Sequence, residues 1–252
     1  MYICTLKLSK IYKMRKNQQI TYNPFENLED KNTQYWLGML ATDGCISEKN
    51  KISLFQKEHS KDIIIKFQKF LQNKVKVQEI VHKKVNGTFP QCGISFRNKE
   101  VHDYLNELGI TPKKSLTLKL NFPFTWDLMR GIIDGDGSVE LNGGSKSRKD
   151  GARRIRIGSA SISFIDQISE FLTNNEIDHK IYNSGATKSN IFYTLHIHGD
   201  LNLIKTLRFL YKDADAYLER KYLNAAQIRN SLIEKHSKLR ETASAILKQA
   251  DF

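Results

Sequence analysis

The sequence predicts an α+β chain built from two pseudo-symmetric repeats, each with the element order αββαββα. A run ending in Asp-Gly occurs twice, as residues 36–44 (WLGMLATDG) and 129–137 (MRGIIDGDG). The same succession of hydrophobic periodicities follows each copy, and matching elements keep matching separations. An internal repeat of this kind outranks any single element as evidence of architecture.

Each element then has its own warrant. The two Asp-Gly runs are apolar stretches with an internal glycine, read as helices. Residues 51–56 and 153–158 alternate apolar and polar side chains, the period of a half-buried strand. Ile63, Ile64, Phe67, Phe70 and Leu71 recur at helical spacing, and so do Phe164, Ile165, Ile168, Phe171 and Leu172. Asn86-Gly87 is a strong two-residue turn between strands 75–85 and 88–96. In the second copy 180–184 and 191–197 flank a looser turn at Gly185. Val101, Leu105 and Leu108 mark the last helix of the first repeat; Leu203, Leu207 and Leu210 mark that of the second. The domain division that results is an N-terminal arm over 1–33, broken at Asn23-Pro24, and repeats over 34–120 and 121–222. A helical tail over 223–252 follows, with helix around 225–232 and 239–247. The second repeat is longer by a Gly- and Ser-rich hairpin tip, 143–151, that carries Lys146, Arg148 and Lys149 as candidate phosphate contacts.

Composition narrows the function. The chain has 252 residues and 40 Lys+Arg against 27 Asp+Glu, a formal charge of +13. So basic a chain suits a polyanion, because cationic side chains gain affinity by releasing phosphate counterions. No run approaches the roughly 18 apolar residues of a membrane span, and Lys7, Lys10 and Lys13 interrupt any signal-like segment. Three cysteines, far apart and without a C-x-x-C pair, argue against a disulfide framework or a zinc site.

The two Asp-Gly ends carry the chemistry. An aspartate in the last turn of a helix sits at the negative end of the dipole, unfavourable by up to about 1 kcal/mol. Gly44 and Gly137 read as left-handed helix caps, which places Asp43 and Asp136 at two such ends. Gly38 and Gly131 bare the backbone, so the two helices can pack closely, at about 1 kcal/mol each in helix propensity. Packed that way, both carboxylates converge. At about 4 Å they repel by roughly 4 kcal/mol at an effective dielectric of 20, so they must share a proton or hold a cation. Carboxylate and water ligands suit Mg²⁺, with Mn²⁺ as a substitute, and paired carboxylates beside a basic surface suit phosphodiester hydrolysis.

These runs resemble the paired motifs of the LAGLIDADG homing endonucleases in their single-chain, two-repeat form. Three further stretches are similar to that family: 52–57 (ISLFQK), 108–115 (LGITPKKS) and 217–222 (YLERKY). The resemblance spans about residues 33–225. It implies a seam formed by the motif helices and two curved antiparallel sheets that saddle DNA. It further implies that Asp43 and Asp136 bind the metals, each serving one strand, and that Gln56 and Lys57 position water or stabilise charge. Lys114 and Lys221 become candidates for the family's peripheral basic residues. The sequence departs from the motif at Ala41 and Thr42, and the second repeat has Ile157-Gly158 where Gln56-Lys57 is expected.

Strand alternation supplies a candidate readout face: Lys76, Gln78, Gln91, Ser95 and Arg97 in the first sheet, and Arg154, Arg156, Lys180, Tyr182, His196 and His198 in the second. Two-stranded ribbons fit the major groove, where such side chains read base edges. The expected protein is a monomeric, Mg²⁺-dependent endonuclease that breaks both strands of a long asymmetric DNA target. Intron RNA is a possible further partner, a maturase or DNA-binding regulator on the same fold is the rival, and no membrane is involved. The expected location is the cytoplasm of a bacterial or phage-infected cell, or an organelle matrix.

Overall fold

The computed structural model describes residues 20–84, 87–141, 153–187 and 190–249. The first repeat runs α1 (Lys31–Thr42), β1 (Gly44–Ser47), β2 (Lys51–Lys57), α2 (Lys61–Phe70), β3 (Gln78–Lys84), β4 (Gly87–Arg97) and α3 (Lys99–Glu107). The second runs α4 (Trp126–Asp136), β5 (Gly137–Glu140), β6 (Arg154–Ser159), α5 (Ile162–Asn174), β7 (His179–Thr187), β8 (Asn190–Ile197) and α6 (Asp200–Tyr211), and α7 (Glu219–Gln249) follows. The predicted order αββαββα therefore occurs twice. Each repeat forms a four-stranded antiparallel sheet, ordered β1-β2-β4-β3 and β5-β6-β8-β7.

Helix starts are set by side chains that accept from the otherwise unpaired first-turn N–H groups. Asp30 accepts from Thr33 N–H at 2.7 Å, Asn98 from Val101 at 3.1 Å and Thr125 from Leu128 at 3.1 Å. Each sheet turns one set of alternate residues to the helices. Ile52, Leu54, Ile94 and Phe96 are buried in the first sheet, and Ile155, Ile157, Leu195 and Ile197 in the second. Each repeat also holds one tryptophan. Trp36 lies against the rings of Tyr35 and Phe67, with centroids at 4.9 and 4.8 Å. Trp126 stacks on Phe209 at 4.8 Å and donates its indole N–H to Asn175 Oδ1.

The repeats meet along α1 and α4, and the contact is backbone on backbone. A Cβ placed on Gly38 would lie 2.4 Å from the Leu128 carbonyl oxygen, and one on Gly131 would lie 2.1 Å from that of Tyr35. No side chain fits at that crossing.

Several local expectations are corrected. Gly44 and Gly137 are not left-handed caps: Gly137 has φ −86° and ψ 173°, and both residues open strands. Space is what excludes a side chain there, since a Cβ would stand 2.4 Å from Leu40 O or 2.7 Å from Ile133 Cα. Strand β3 starts at Gln78 rather than at 75, which leaves Lys76 exposed in the preceding loop. The expected pair of tail helices is one 31-residue helix, α7, packed on α6 and β5 through Ala225, Ile228 and Leu232. Asn86 of the first turn and the hairpin tip with Lys146, Arg148 and Lys149 lie outside the described residues, whereas Gly185, expected at the second turn, falls within β7. No helix among the described residues is long and apolar enough to cross a membrane.

Candidate functional site

The close crossing of α1 and α4 brings their C-terminal ends together. Asp43 is the residue that ends α1, with φ −82° and ψ −10°, and Asp136 is the last residue of α4. A Cβ on Gly135 would stand 1.9 Å from Thr42 Oγ1 and 3.5 Å from Asp43 N, so the two ends adjoin. Burial pushes the Asp136 carboxyl above the usual aspartate range and the charge of Asp43 pushes it further, against the pull of Lys114 and Lys221. Gln56, on the helix-facing alternation of β2, donates its amide N–H to Asp43 Oδ2 at 2.5 Å. Lys57, one residue on, belongs to the opposite alternation and is exposed, so the structure brings Gln56 but not Lys57 to the carboxylates.

Lys114 and Lys221 are both buried, within electrostatic reach of Asp43 and Asp136. Lys221 donates to the carbonyls of Ile133 and Asp134, each at 2.6 Å, and of Gly135 at 3.2 Å. An ammonium has three donors, so Lys221 caps the last turn of α4 and has none left over. Burial lowers its pKa to about 8, although Asp134, Asp43 and Asp136 favour the charged form. Lys114 donates to the Gly44 carbonyl just past α1, and burial lowers its pKa too, against the charges of Cys45, Asp136 and Asp43. Lys114 also lines a cleft of about 260 Å³ with Thr42, Asp136, Gly158, Ser159 and Phe192.

The strand register revises the comparison between the halves. Gly44 pairs with Leu54 and Gly137 with Ile157. Leu54 therefore matches Ile157, and Gln56-Lys57 match Ser159-Ala160, not Ile157-Gly158. Ser159 is too short to repeat the Gln56 contact, and its hydroxyl accepts from Ser161 N–H at 3.1 Å. The halves do differ beside the aspartates, through other residues than expected.

The donor set fits a hard divalent cation. Two adjoining carboxylates, Asp43 and Asp136, supply anionic oxygens, the ligands Mg²⁺ prefers, and such an ion keeps waters and takes phosphate oxygens. Among the described residues no group of three or more His, Cys, Asp or Glu side chains gathers into a self-contained metal cage.

The open face of each sheet flanks this centre. In the first, Gln78, Gln91, Ser95 and Arg97 share that face, at least partly exposed. In the second, the register sets Ser138, Arg156, His196 and Lys180 in one row, with Glu140 opposite Arg154 and Tyr182 opposite Thr194. The Tyr182 and His196 rings are 4.7 Å apart. Burial, then the charges of Arg154 and Arg156, lower the His196 pKa. His198 is exposed just past β8. Ile181, expected inside, has the right alternation but is 41% exposed, because β7 is an edge strand.

Sequence reasoning missed a buried polar set behind Asp136. Asp134 is 1% exposed, and its Oδ2 accepts from the Tyr35 hydroxyl at 2.9 Å and from Leu218 N–H at 2.7 Å. Burial raises its carboxyl to about 6 despite the Leu218 N–H, the Lys221 charge and the Tyr35 hydroxyl. Arg130 donates to Ala216 O and Leu210 O, both at 2.8 Å, and pairs with Asp127 at 2.7 Å. The available signal was two charged residues inside an apolar helical run. Glu140 was missed as well, and no periodicity marks it.

Residues 127–210, from the start of α4 to the end of α6, match the model of the LAGLIDADG-like domain. No curated protein matches the sequence. Among solved structures, the meganuclease I-SmaMI bound to uncleavable DNA with a TTGT central four is similar. It is 10% identical over 92% of this chain and 95% of that one, with a TM-score of 0.53. The homing endonuclease I-WcaI bound to its DNA recognition sequence is 13% identical over 75% of this chain and 84% of that one, with a TM-score of 0.50. Residues 127–210 thus match a LAGLIDADG-like domain, and the chain as a whole has a two-repeat fold similar to those of I-SmaMI and I-WcaI.

Proposed function

We propose that this chain is a site-specific DNA endonuclease that acts as a monomer and cuts both strands of a long asymmetric target with the help of a divalent metal, Mg²⁺ in the first instance. The observation that carries the reading is the meeting of Asp43 and Asp136 at adjoining helix ends, between two open sheet faces on a chain of net charge +13. Asp43 and Asp136 would hold the metal. Bound there, it lowers the pKa of attacking water and offsets charge on the leaving oxygen. The protein's part is positional and electrostatic. Gln56 fixes the orientation of the Asp43 carboxylate through Oδ2. Lys114 sets a positive charge beside both carboxylates, where a scissile phosphate would enter the cleft. Lys221 holds the α4 end that carries Asp136.

A library of duplex DNA with randomised targets tests this, incubated with Mg²⁺ and with the Asp43→Asn and Asp136→Asn variants alongside. Metal-dependent cuts at one sequence, lost in either variant, are expected. Sequence-specific binding with no cut in any divalent metal would instead favour a regulator or maturase on this fold. The unequal surroundings of the two aspartates add a kinetic expectation: on supercoiled plasmid carrying the site, nicked circle builds up before linear product, and Gln56→Ala changes the ratio of the two steps. Cutting of both strands at one rate would refute that asymmetry.

A further inference from the structure

Glu140 is an acid on a face that would lie against phosphates. Its own surroundings explain it. Oε2 takes the Nε–H of Arg154 at 2.6 Å, and Oε1 takes the Ser138 hydroxyl at 2.8 Å and faces Arg156 Nε at 3.5 Å. The alternation is consistent: Val139 and Ile155 turn into the core, whereas Ser138, Glu140, Arg154 and Arg156 share the open face. The Glu140 carboxyl stays below its usual range even though burial pushes it up, because Ser138, Arg154 and the Arg156 charge favour the ionised form. The closest approach of each arginine to the acid is at Nε, not at its two terminal nitrogens. That end-on pair is what reads guanine O6 and N7.

The first sheet lacks this arrangement. By the register, Ser47 stands where Glu140 does, Lys51 where Arg154 does and Ser53 where Arg156 does. We infer that Glu140 is a positioning residue that holds Arg154 and Arg156 for guanine recognition, so that the half of the target under the second repeat carries two guanine contacts without counterpart in the other half. Arg154 and Arg156 are two residues apart, about 7 Å along a strand, so the guanines lie within about two base steps of each other. This rests on the DNA-endonuclease reading.

The test is selection of bound duplexes from a randomised library in EDTA, which separates binding from cutting, with the full-length chain and its Arg154→Ala, Arg156→Ala and Glu140→Ala variants. The wild-type site should contain two guanines in one half. Each arginine variant should lose discrimination at one of them, about 10- to 100-fold. Glu140→Ala should relax both positions together, leave the other half-site unchanged and bind random DNA as tightly as wild type or tighter, since a negative charge is gone. Arginine variants that weaken all sequences alike and lower the salt dependence would show phosphate contacts and overturn the inference, as would a Glu140→Ala site identical to wild type. Wild-type protein that binds without any sequence preference would overturn the site-specific reading as well, a result distinguishable from the other two.

Discussion

Two lysines at equivalent places in the repeats do different work at the residue scale. Lys221 directs its donors to three carbonyls at the end of α4. Lys221→Met keeps the stem but removes the donors; Ile133 O keeps the Gly137 N–H, so the buried Asp134 carbonyl is the acceptor left shortest of partners, at about 1–3 kcal/mol. Relief of the buried charge offsets part of that, so a net loss of about 1 kcal/mol is expected in urea unfolding; an unchanged midpoint would remove Lys221 from the structural account. Asp134 links stability to pH. Its carboxyl sits at about 6 in the fold against 3.8 as the ordinary value. Between those values the folded chain holds a proton that the unfolded chain has released, so this group's contribution falls as pH rises from 4 to 6. The difference is on the order of 2–3 kcal/mol at 1.36 kcal/mol per unit. Asp134→Asn, which keeps an acceptor for Tyr35 and Leu218, should flatten that stretch of the stability curve; an unaltered slope would place the titration elsewhere. Asp43 and Asp136 were legible because they end a repeated motif. The burial of Asp134 was not, because its partners lie far away in sequence, at Tyr35 and Leu218.

Among elements, α1 and α4 decide whether the site exists. Gly38→Ala gains about 1 kcal/mol in helix propensity but drives a methyl to 2.4 Å from Leu128 O. Overpacking costs about 1–3 kcal/mol when side chains can shift, and backbone yields less readily. Separation of the helices should lower stability by at least that amount and abolish cutting while DNA binding persists. A variant with normal cutting would show that the aspartates tolerate a wider seam. Helices and strands were readable here because their periods are local. The strand pairing was not: assigning Gln56 to Ser159 needs the register of Gly44 with Leu54 and Gly137 with Ile157, which similarity along the chain misaligns by two residues. The role of Gly44 and Gly137 was misread for a related reason, since Asp-Gly in sequence signals a turn, whereas crowding against the preceding helical turn appears only in three dimensions.

For the whole molecule, the duplication was plain in sequence, and its inequality became clear only in the fold. One half sets Gln56 on its aspartate; the other sets a short serine beside its own and gathers two arginines around an acid. The start of α7 closes the second half, because Leu218 N–H binds Asp134 while Lys221 binds back onto α4. The placement of the tryptophans gives access to how far the halves act as one. Trp36 is enclosed by rings of the first repeat and Trp126 rests on Phe209 of the second, and the chain has only these 2. Trp36→Phe and Trp126→Phe variants therefore turn fluorescence into a separate reporter for each half. A seam made of interlocked backbone predicts a single cooperative transition, with both reporters melting at the same denaturant concentration once each variant's own stability change is allowed for. Two offset transitions would mean that either half can stay folded after its neighbour has opened.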